Sequence, residues 1–323
     1  MSVERRPCYA TLVKDDGTPY GCPDDAQPGH VLCARHTGPL RPMTSESFEE
    51  LLAKWREASK AAVHRRMNHQ PLQGKWDEDL VRALLPLALP LYSLYWRVDT
   101  FGIENIPTEG PVLLVANHSG TIPIDGAMLK IAVLKEHGRN PWLLAADLAF
   151  TIPGFRDLVR LAGNARADRD ETLDLLRAGE MIGVFPEGFK GIGKGWKRRY
   201  QLQRFGRGGF VEVAMETGAP IVPVAIIGAE ETYPMIGNVR ILAKRLGLPY
   251  FPITPTWPLL GPLGTLPLPA KWIIAFGEPI PMLEYGPKAA EDTQLVLELT
   301  EQVRRTVQHM LTEYLPKRRG SFL

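Results

Sequence analysis

Two hydrophobic spacings organise this chain. Short apolar runs, Val112 to Ala116, Trp142 to Ala146, Met181 to Phe185, Ile221 to Ile227 and Trp272 to Phe276, are bounded by Pro, Gly and polar residues. Runs of this length without polar alternation predict strands buried on both faces, as in a parallel sheet. Between them, Ile124 to Glu136, Glu171 to Ala178 and Gly209 to Gly218 read as helices, and Pro107 to Gly110 as a turn before the first core strand. Near the C-terminus Val296, Leu299, Val303, Val307, Met310 and Tyr314 form the stripe of a long amphipathic helix. Strands alternating with helices predict an α/β fold, a mainly parallel sheet covered by helices on both faces.

The first hundred residues follow other rules. Ser47-Phe48-Glu49-Glu50 offers a capping box, and Phe48, Leu51, Leu52, Trp55 and Ala62 continue at helical spacing to about Met67. His64 and His69 fall in the polar flank of this stretch and are expected to be solvated. Leu80 to Trp96 is the most apolar stretch, interrupted by Arg82, Pro86 and Pro90. A spanning helix needs about 20 apolar residues, so this segment is expected to lie in a membrane interface rather than cross it. The N-terminus, Met1 to Cys8, lacks the apolar core of a signal peptide, which predicts a cytoplasmic chain.

All three cysteines fall in the first 33 residues. Cys8, Cys22 and Cys33 are followed by His36, and three thiolates with one imidazole complete a tetrahedral zinc shell. His30 is the alternative fourth ligand, but only two residues separate it from Cys33. Three unrelated thiols are the other reading. A zinc so held is structural, because four protein ligands leave no open position. The segment resembles short bacterial Cys3His knuckles. Residues 1–40 are read as this knuckle, 41–98 as the helical, membrane-interfacial segment and 99–323 as the main domain.

With 323 residues, 45% of them hydrophobic, the chain can bury a substantial core, and a net charge of +2 says little about partners. Local charge says more. Lys194, Lys197, Arg198, Arg199, Arg204 and Arg207 lie within fourteen residues, a density that suits phosphate groups or an anionic lipid surface, or else a solvated basic face.

The chemistry is carried by Asn117-His118, directly after the first core strand, and by Asp125 at the start of the next helix. A histidine can take a proton from a hydroxyl while a carboxylate holds the imidazole in one tautomer and stabilises its charge. Asp125 as a plain helix cap is the bland alternative. Three further blocks follow: Gly163 to Arg169, Val184-Phe185-Pro186-Glu187-Gly188-Phe189-Lys190, and Gly218-Ala219-Pro220-Ile221-Val222-Pro223-Val224. In this order they resemble the motifs of the glycerolipid acyltransferases, the family of 1-acylglycerol-3-phosphate O-acyltransferase, over about Phe101 to Pro281. The family usually places four residues between His and Asp, where this chain has six, and Phe189 and Lys190 stand for Thr and Arg.

The resemblance implies that residues 99–323 are an acyltransferase domain. It makes His118 and Asp125 the catalytic pair and places Arg169, Glu187, Gly188, Phe189, Lys190 and Pro223 at the substrate. It implies an acyl thioester, acyl-CoA or acyl-ACP, as donor and hence acyl carrier protein as a partner. The acceptor would be a glycerolipid such as lysophosphatidic acid, and the location peripheral, on the inner membrane face. No catalytic cofactor and no nucleic-acid partner are expected. The loss of a hydroxyl at Phe189 leaves mono- and diacylglycerol open as acceptors. Leu248 to Pro269, Pro-broken and aromatic, would border an acyl groove, touch lipid or pack as a buried loop.

Rival chemistries fare worse. Gly188 to Lys194 matches Gly-x4-Gly-Lys after a strand, but Gly195 replaces the Ser or Thr that ligates magnesium in a phosphate loop. No Gly-x-Ser-x-Gly elbow occurs, which speaks against a serine hydrolase. A non-enzymatic lipid-binding module remains the alternative to an enzyme.

Overall fold

The computed structural model describes residues 11–13, 19–21, 81, 84–85, 88–122, 124–146, 160, 162–318 and 320–322. Near the N-terminus β1 (Thr11–Val13) and β2 (Pro19–Gly21) pair antiparallel. The expected zinc ligands Cys8, Cys22, Cys33 and His36 lie outside the described residues, as does the expected helix from Phe48 to Met67.

The body is built on a seven-stranded sheet. Its first six strands in chain order are β3 (Asp99–Phe101), β4 (Val112–Ala116), β5 (Trp142–Ala145), β6 (Asn164–Arg166), β7 (Met181–Val184) and β8 (Ile221–Ile227). A small hairpin of β9 (Gly237–Asn238) and β10 (Pro252–Ile253) precedes the seventh, β11 (Ile273–Phe276). The spatial order is β3-β11-β8-β4-β7-β5-β6. From β8 to β6 all neighbours are parallel, whereas β11 runs antiparallel to β8 and parallel to β3. The helices are α1 (Ile124–Glu136), α2 (Arg169–Arg177), α3 (Phe189–Ile192), α4 (Gly209–Thr217), α5 (Ala229–Thr232), α6 (Arg240–Arg245), α7 (Gly286–Ala289) and α8 (Thr293–Tyr314).

The uninterrupted apolar strands arise because both faces are covered. Leu113 and Val115 of β4, with Ala225 and Ile227 of β8, enter one apolar layer against Leu176 of α2, Val211 of α4 and Val307 of α8. Their neighbours Leu114, Ala116, Val224 and Ile226 enter a second layer against Leu129 and Val133 of α1. Two edge strands escape this pattern: Asn164-Ala165-Arg166 buries only Ala165, and Asp99-Thr100-Phe101 buries none of its three residues. They carry no apolar run to read.

Part of the stretch expected at a membrane interface is core. Leu85, Leu89, Tyr92 and Trp96 are buried in the second layer, where Trp96 stacks on Trp272 with ring centroids 5.5 Å apart. Their polar atoms have inward partners: Tyr92 OH donates to Glu136 Oε1 at 3.0 Å and Trp96 Nε1 to the Leu268 carbonyl at 3.1 Å. Among the described residues of the stretch, Leu91, Ser93 and Leu94 face outward. No helix among the described residues is long and apolar enough to cross a membrane.

The antiparallel step between β8 and β11 has a topological consequence. β8 carries the chain to the carboxyl end of the parallel strands, and β11 starts back from that end. Residues 228–272 therefore stand as a lobe at the end of the sheet where β4 delivers His118, the usual place for a site in an open α/β sheet.

Candidate active site

The end of β4 is held rigidly before the chain turns. The buried Asn117 amide bridges to β8, donating to the Ile226 carbonyl at 2.9 Å and accepting from the Ile226 N–H at 2.7 Å. His118 follows, its Nδ1 2.7 Å from Asp125 Oδ2. Asp125 sits in the first turn of α1, fully buried, and receives two backbone N–H groups: Ser119 on Oδ2 at 2.8 Å and Gly126 on Oδ1 at 2.9 Å. A carboxylate so held accepts from the imidazole, so Nδ1 donates and Nε2 is left as the basic nitrogen. The His118 side chain is 14% exposed, and its ring lies 4.5 Å from that of Phe185 between centroids.

The six-residue spacing is absorbed by a loop tied to the lobe. Thr121 Oγ1 donates to the Tyr233 carbonyl at 2.8 Å, and Tyr250 OH donates to the Thr121 carbonyl at 2.6 Å. Burial, with Asp125 adding, pushes the Tyr250 phenol up to about 12, so it stays a donor. Gly120 has φ 80°, and a Cβ there would stand 2.8 Å from the Ala229 carbonyl oxygen. Only glycine passes this point without strain.

Glu187 is turned inward rather than toward a substrate. One carboxylate oxygen accepts from the His118 N–H at 3.0 Å and the other from the Gln203 N–H at 2.6 Å. Gly188, at φ 53° and ψ −145°, opens the turn into α3. Gly191 then approaches so closely that a Cβ would lie 2.7 Å from the His118 carbonyl oxygen. The acidic-glycine turn is thus the backing of His118. Phe189 and Lys190 remain exposed.

Behind that turn lies a buried ionic chain absent from the sequence-based site. Lys194 Nζ stands 3.3 Å from Glu187 Oε2 and 3.1 Å from Glu230 Oε1. Glu230 also accepts from the Tyr200 N–H at 3.0 Å, Tyr200 OH donates to Glu231, and Arg318 donates to Glu231 Oε1 at 2.9 Å. Burial pushes the Glu230 carboxyl up to about 6 against the pull of Lys194. Burial and Glu231 also raise the Tyr200 phenol. Glu230 and Arg318 join this chain from far away in sequence, and nothing in the basic run marks Lys194 as its inward-facing member.

Two other cations of that run, Lys197 and Arg198, line a cleft of about 580 Å³ whose walls also include Lys190, Trp196, Gln203 and Arg240. Arg169 is elsewhere. It opens α2 after the edge strand β6, three strands from β4, and its guanidinium donates to Glu216. The cleft that it lines with Arg177, Glu212 and Glu291 shares no wall with the one at Lys190. Pro223 is buried in β8 opposite Val115, its carbonyl accepting the Gly277 N–H at 2.8 Å. His118, Asp125, Glu187, Gly188 and Lys190 are thus brought together around one turn, while Arg169 and Pro223 stand apart.

The chain is similar to several known proteins. The Acyltransferase family matches residues 97–227, which span both the His118–Asp125 pair and Glu187. An uncharacterized protein of Mycobacterium tuberculosis is 51% identical over 239 residues, 73% of this chain and 67% of that one. The human DGAT1/2-independent enzyme synthesizing storage lipids is 26% identical over 227 residues, 69% of this chain and 64% of that one. The crystal structure of PlsC, the 1-acyl-sn-glycerophosphate acyltransferase of Thermotoga maritima, superposes with a TM-score of 0.51 at 19% identity, covering 82% of this chain and 90% of that one. Its likeness extends to the fold.

Proposed function

Because residues 97–227 match the Acyltransferase family, we propose that this chain transfers a fatty acyl group from an acyl thioester, acyl-CoA or acyl-ACP, to a glycerolipid hydroxyl. The observation that carries this reading is the 2.7 Å contact between His118 and a buried, doubly hydrogen-bonded Asp125. His118 Nε2 takes the proton of the acceptor hydroxyl as its oxygen forms a bond to the thioester carbonyl carbon. Asp125 stabilises the resulting imidazolium. The tetrahedral intermediate then expels the thiolate, which recovers the proton from Nε2. No covalent enzyme intermediate is needed. Of the backbone donors near His118, the Ser119 N–H is engaged by Asp125 and the Gly188 N–H by the Phe185 carbonyl. The Gly120 N–H is proposed to receive the oxyanion.

A lysophospholipid such as lysophosphatidic acid is the acceptor that the cleft favours, since Lys190, Lys197, Arg198 and Arg240 line it without a carboxylate. Arg169 would join it only after leaving Glu216. The exposed Phe189 favours a second reading, with mono- or diacylglycerol accepting. The storage-lipid name of the 26%-identical relative fits this second reading. Purified protein given acyl-CoA and, separately, acyl-ACP, with each acceptor in turn, tests both. Preference for lysophosphatidic acid, lost in Lys190→Ala, is the expected result, and turnover only with neutral acceptors selects the second reading. Glu187 acts through the backbone of His118 rather than on the lipid. At the N-terminus Cys8, Cys22, Cys33 and His36 are proposed to hold a structural zinc. Elemental analysis should find one zinc per chain, and chelation should spare acyl transfer.

A further inference from the structure

The apolar surface of this protein is concentrated. More than half of the large apolar side chains left exposed by the described residues fall between residues 236 and 266, in the lobe between β8 and β11. Ile241 is 75% exposed, Leu259 83% and Leu263 68%, and Leu246 and Leu266 also face outward. Single exposed apolar residues need no explanation, but a group of this size marks an interaction surface.

The lobe is held in shape rather than frayed. The Ile236 N–H donates to the Ile253 carbonyl at 2.9 Å, the Thr254 N–H to the Trp257 carbonyl at 2.8 Å and Thr256 Oγ1 to the Gly264 carbonyl at 3.1 Å. Tyr233 OH ties Thr265 back to the body at 2.7 Å. Its apolar side chains are therefore outside because their backbone is fixed there.

Charge identifies the occupant. In α6 the exposed cations Arg240, Lys244 and Arg245 surround Ile241 and Leu242, and no Asp or Glu occurs from Thr232 to Gly277. Apolar side chains interleaved with cations, and free of carboxylates, suit the headgroup region of an anionic bilayer: the chains enter the acyl boundary and the cations meet lipid phosphates. A partner protein or a second copy would have to match a surface of one sign over its whole extent. We infer that residues 236–266 dock this protein onto an anionic lipid bilayer. This rests on the acyl-transfer reading in one respect: Ile236 and Arg240 also line the Lys190 cleft, so a lipid leaving the bilayer here meets the cleft proposed for the acceptor.

The experiment is sedimentation of the full chain with phosphatidylcholine vesicles, with and without one third phosphatidylglycerol, at low and high salt. Wild type should bind the anionic vesicles, and salt should weaken the binding. Lys244→Glu/Arg245→Glu should weaken it at least fivefold per charge, by roughly the worth of a cation at an anionic surface. Ile241→Ser/Leu259→Ser/Leu263→Ser should weaken it by about tenfold or more, at an unchanged thermal midpoint. Acyl transfer to a water-soluble short-chain acceptor should be unchanged in both variants. Equal vesicle binding by wild type and variants, or none by wild type, overturns the surface. So does conversion of an oligomer to a monomer by the apolar substitutions with vesicle binding intact, which would make it an interface between copies. Vesicle binding in a wild type that transfers no acyl group to any acceptor would leave the surface standing and sink the enzymatic reading instead.

Discussion

The turn behind His118 and the lobe above it use the same kinds of residue in opposite ways. Behind His118 the protein buries charge, with Lys194, Glu187, Glu230, Glu231 and Arg318 all inside. In the lobe it exposes leucine and isoleucine beside solvated cations. Burying an ion pair brings little net stability, but it holds groups in one arrangement when every partner is satisfied. An exposed leucine contributes nothing to folding and something to binding. The contrast separates a region shaped for geometry from one shaped for contact, and substitutions should affect the two in different measurements.

The largest effect is expected at the pair itself. His118→Ala should lower turnover on the order of 10³ to 10⁴-fold at unchanged stability, because it removes the base and little core volume. Asp125→Asn should also lose heavily, up to about 10⁴-fold, since an amide can hold the ring in the wrong tautomer and cannot stabilise its charge. Turnover of each variant, alongside its urea midpoint, decides this, and near-normal turnover in His118→Ala would end the mechanism.

Next is the buried chain. Lys194→Met leaves Glu187 and Glu230 without their shared cation and should cost about 3–5 kcal/mol of stability in urea unfolding. A loss below about 1 kcal/mol would mean that this region is no more organised by charge than the lobe.

Glu230 sharpens the same point through pH. Its carboxyl rises from 4.5 to about 6 in the folded protein, so folding favours the protonated form. This contribution to stability is whole below pH 4.5 and is lost as pH rises through about 6, a change of roughly 2 kcal/mol. Thermal midpoints of wild type and Glu230→Gln across that window should diverge as pH rises, with the decline flattened in the variant. Parallel curves would show that Glu230 does not titrate there.

The smallest effect belongs to the lobe. Leu259→Ser should change stability by no more than about 0.5 kcal/mol, because its side chain has no packing to lose. A larger loss in urea unfolding would turn the lobe into part of the core and erase the contrast.

Much of the architecture was legible beforehand. Val112 to Ala116 and Ile221 to Ile227 are strands with those bounds, and the stripe from Val296 to Tyr314 lies on α8. Each is a local signal, since a buried strand or helix face must be apolar at its own period. Edge strands β3 and β6 gave none. At the site, His118 and Asp125 were legible because only seven positions separate them and a strand and helix flank them. Leu80 to Trp96 shows the limit of apolar content: it reads as a surface segment, yet Tyr92 and Trp96 turn inward because Glu136, Leu268 and Trp272 are there to receive them.

The sequence by itself determined the sheet's inner strands, the main helices that cover them and the pair of residues proposed to carry the chemistry, since periodicity and short-range motifs depend on neighbours in the chain. Tertiary structure alone decided that Glu187 faces His118 rather than a lipid, that Lys194 leaves the basic run to join Glu230, and that apolar residues of the lobe stay outside. Direction is a property of what surrounds a side chain. The same leucine is core where a second layer covers it and surface where none does, and that covering comes from residues far away in sequence.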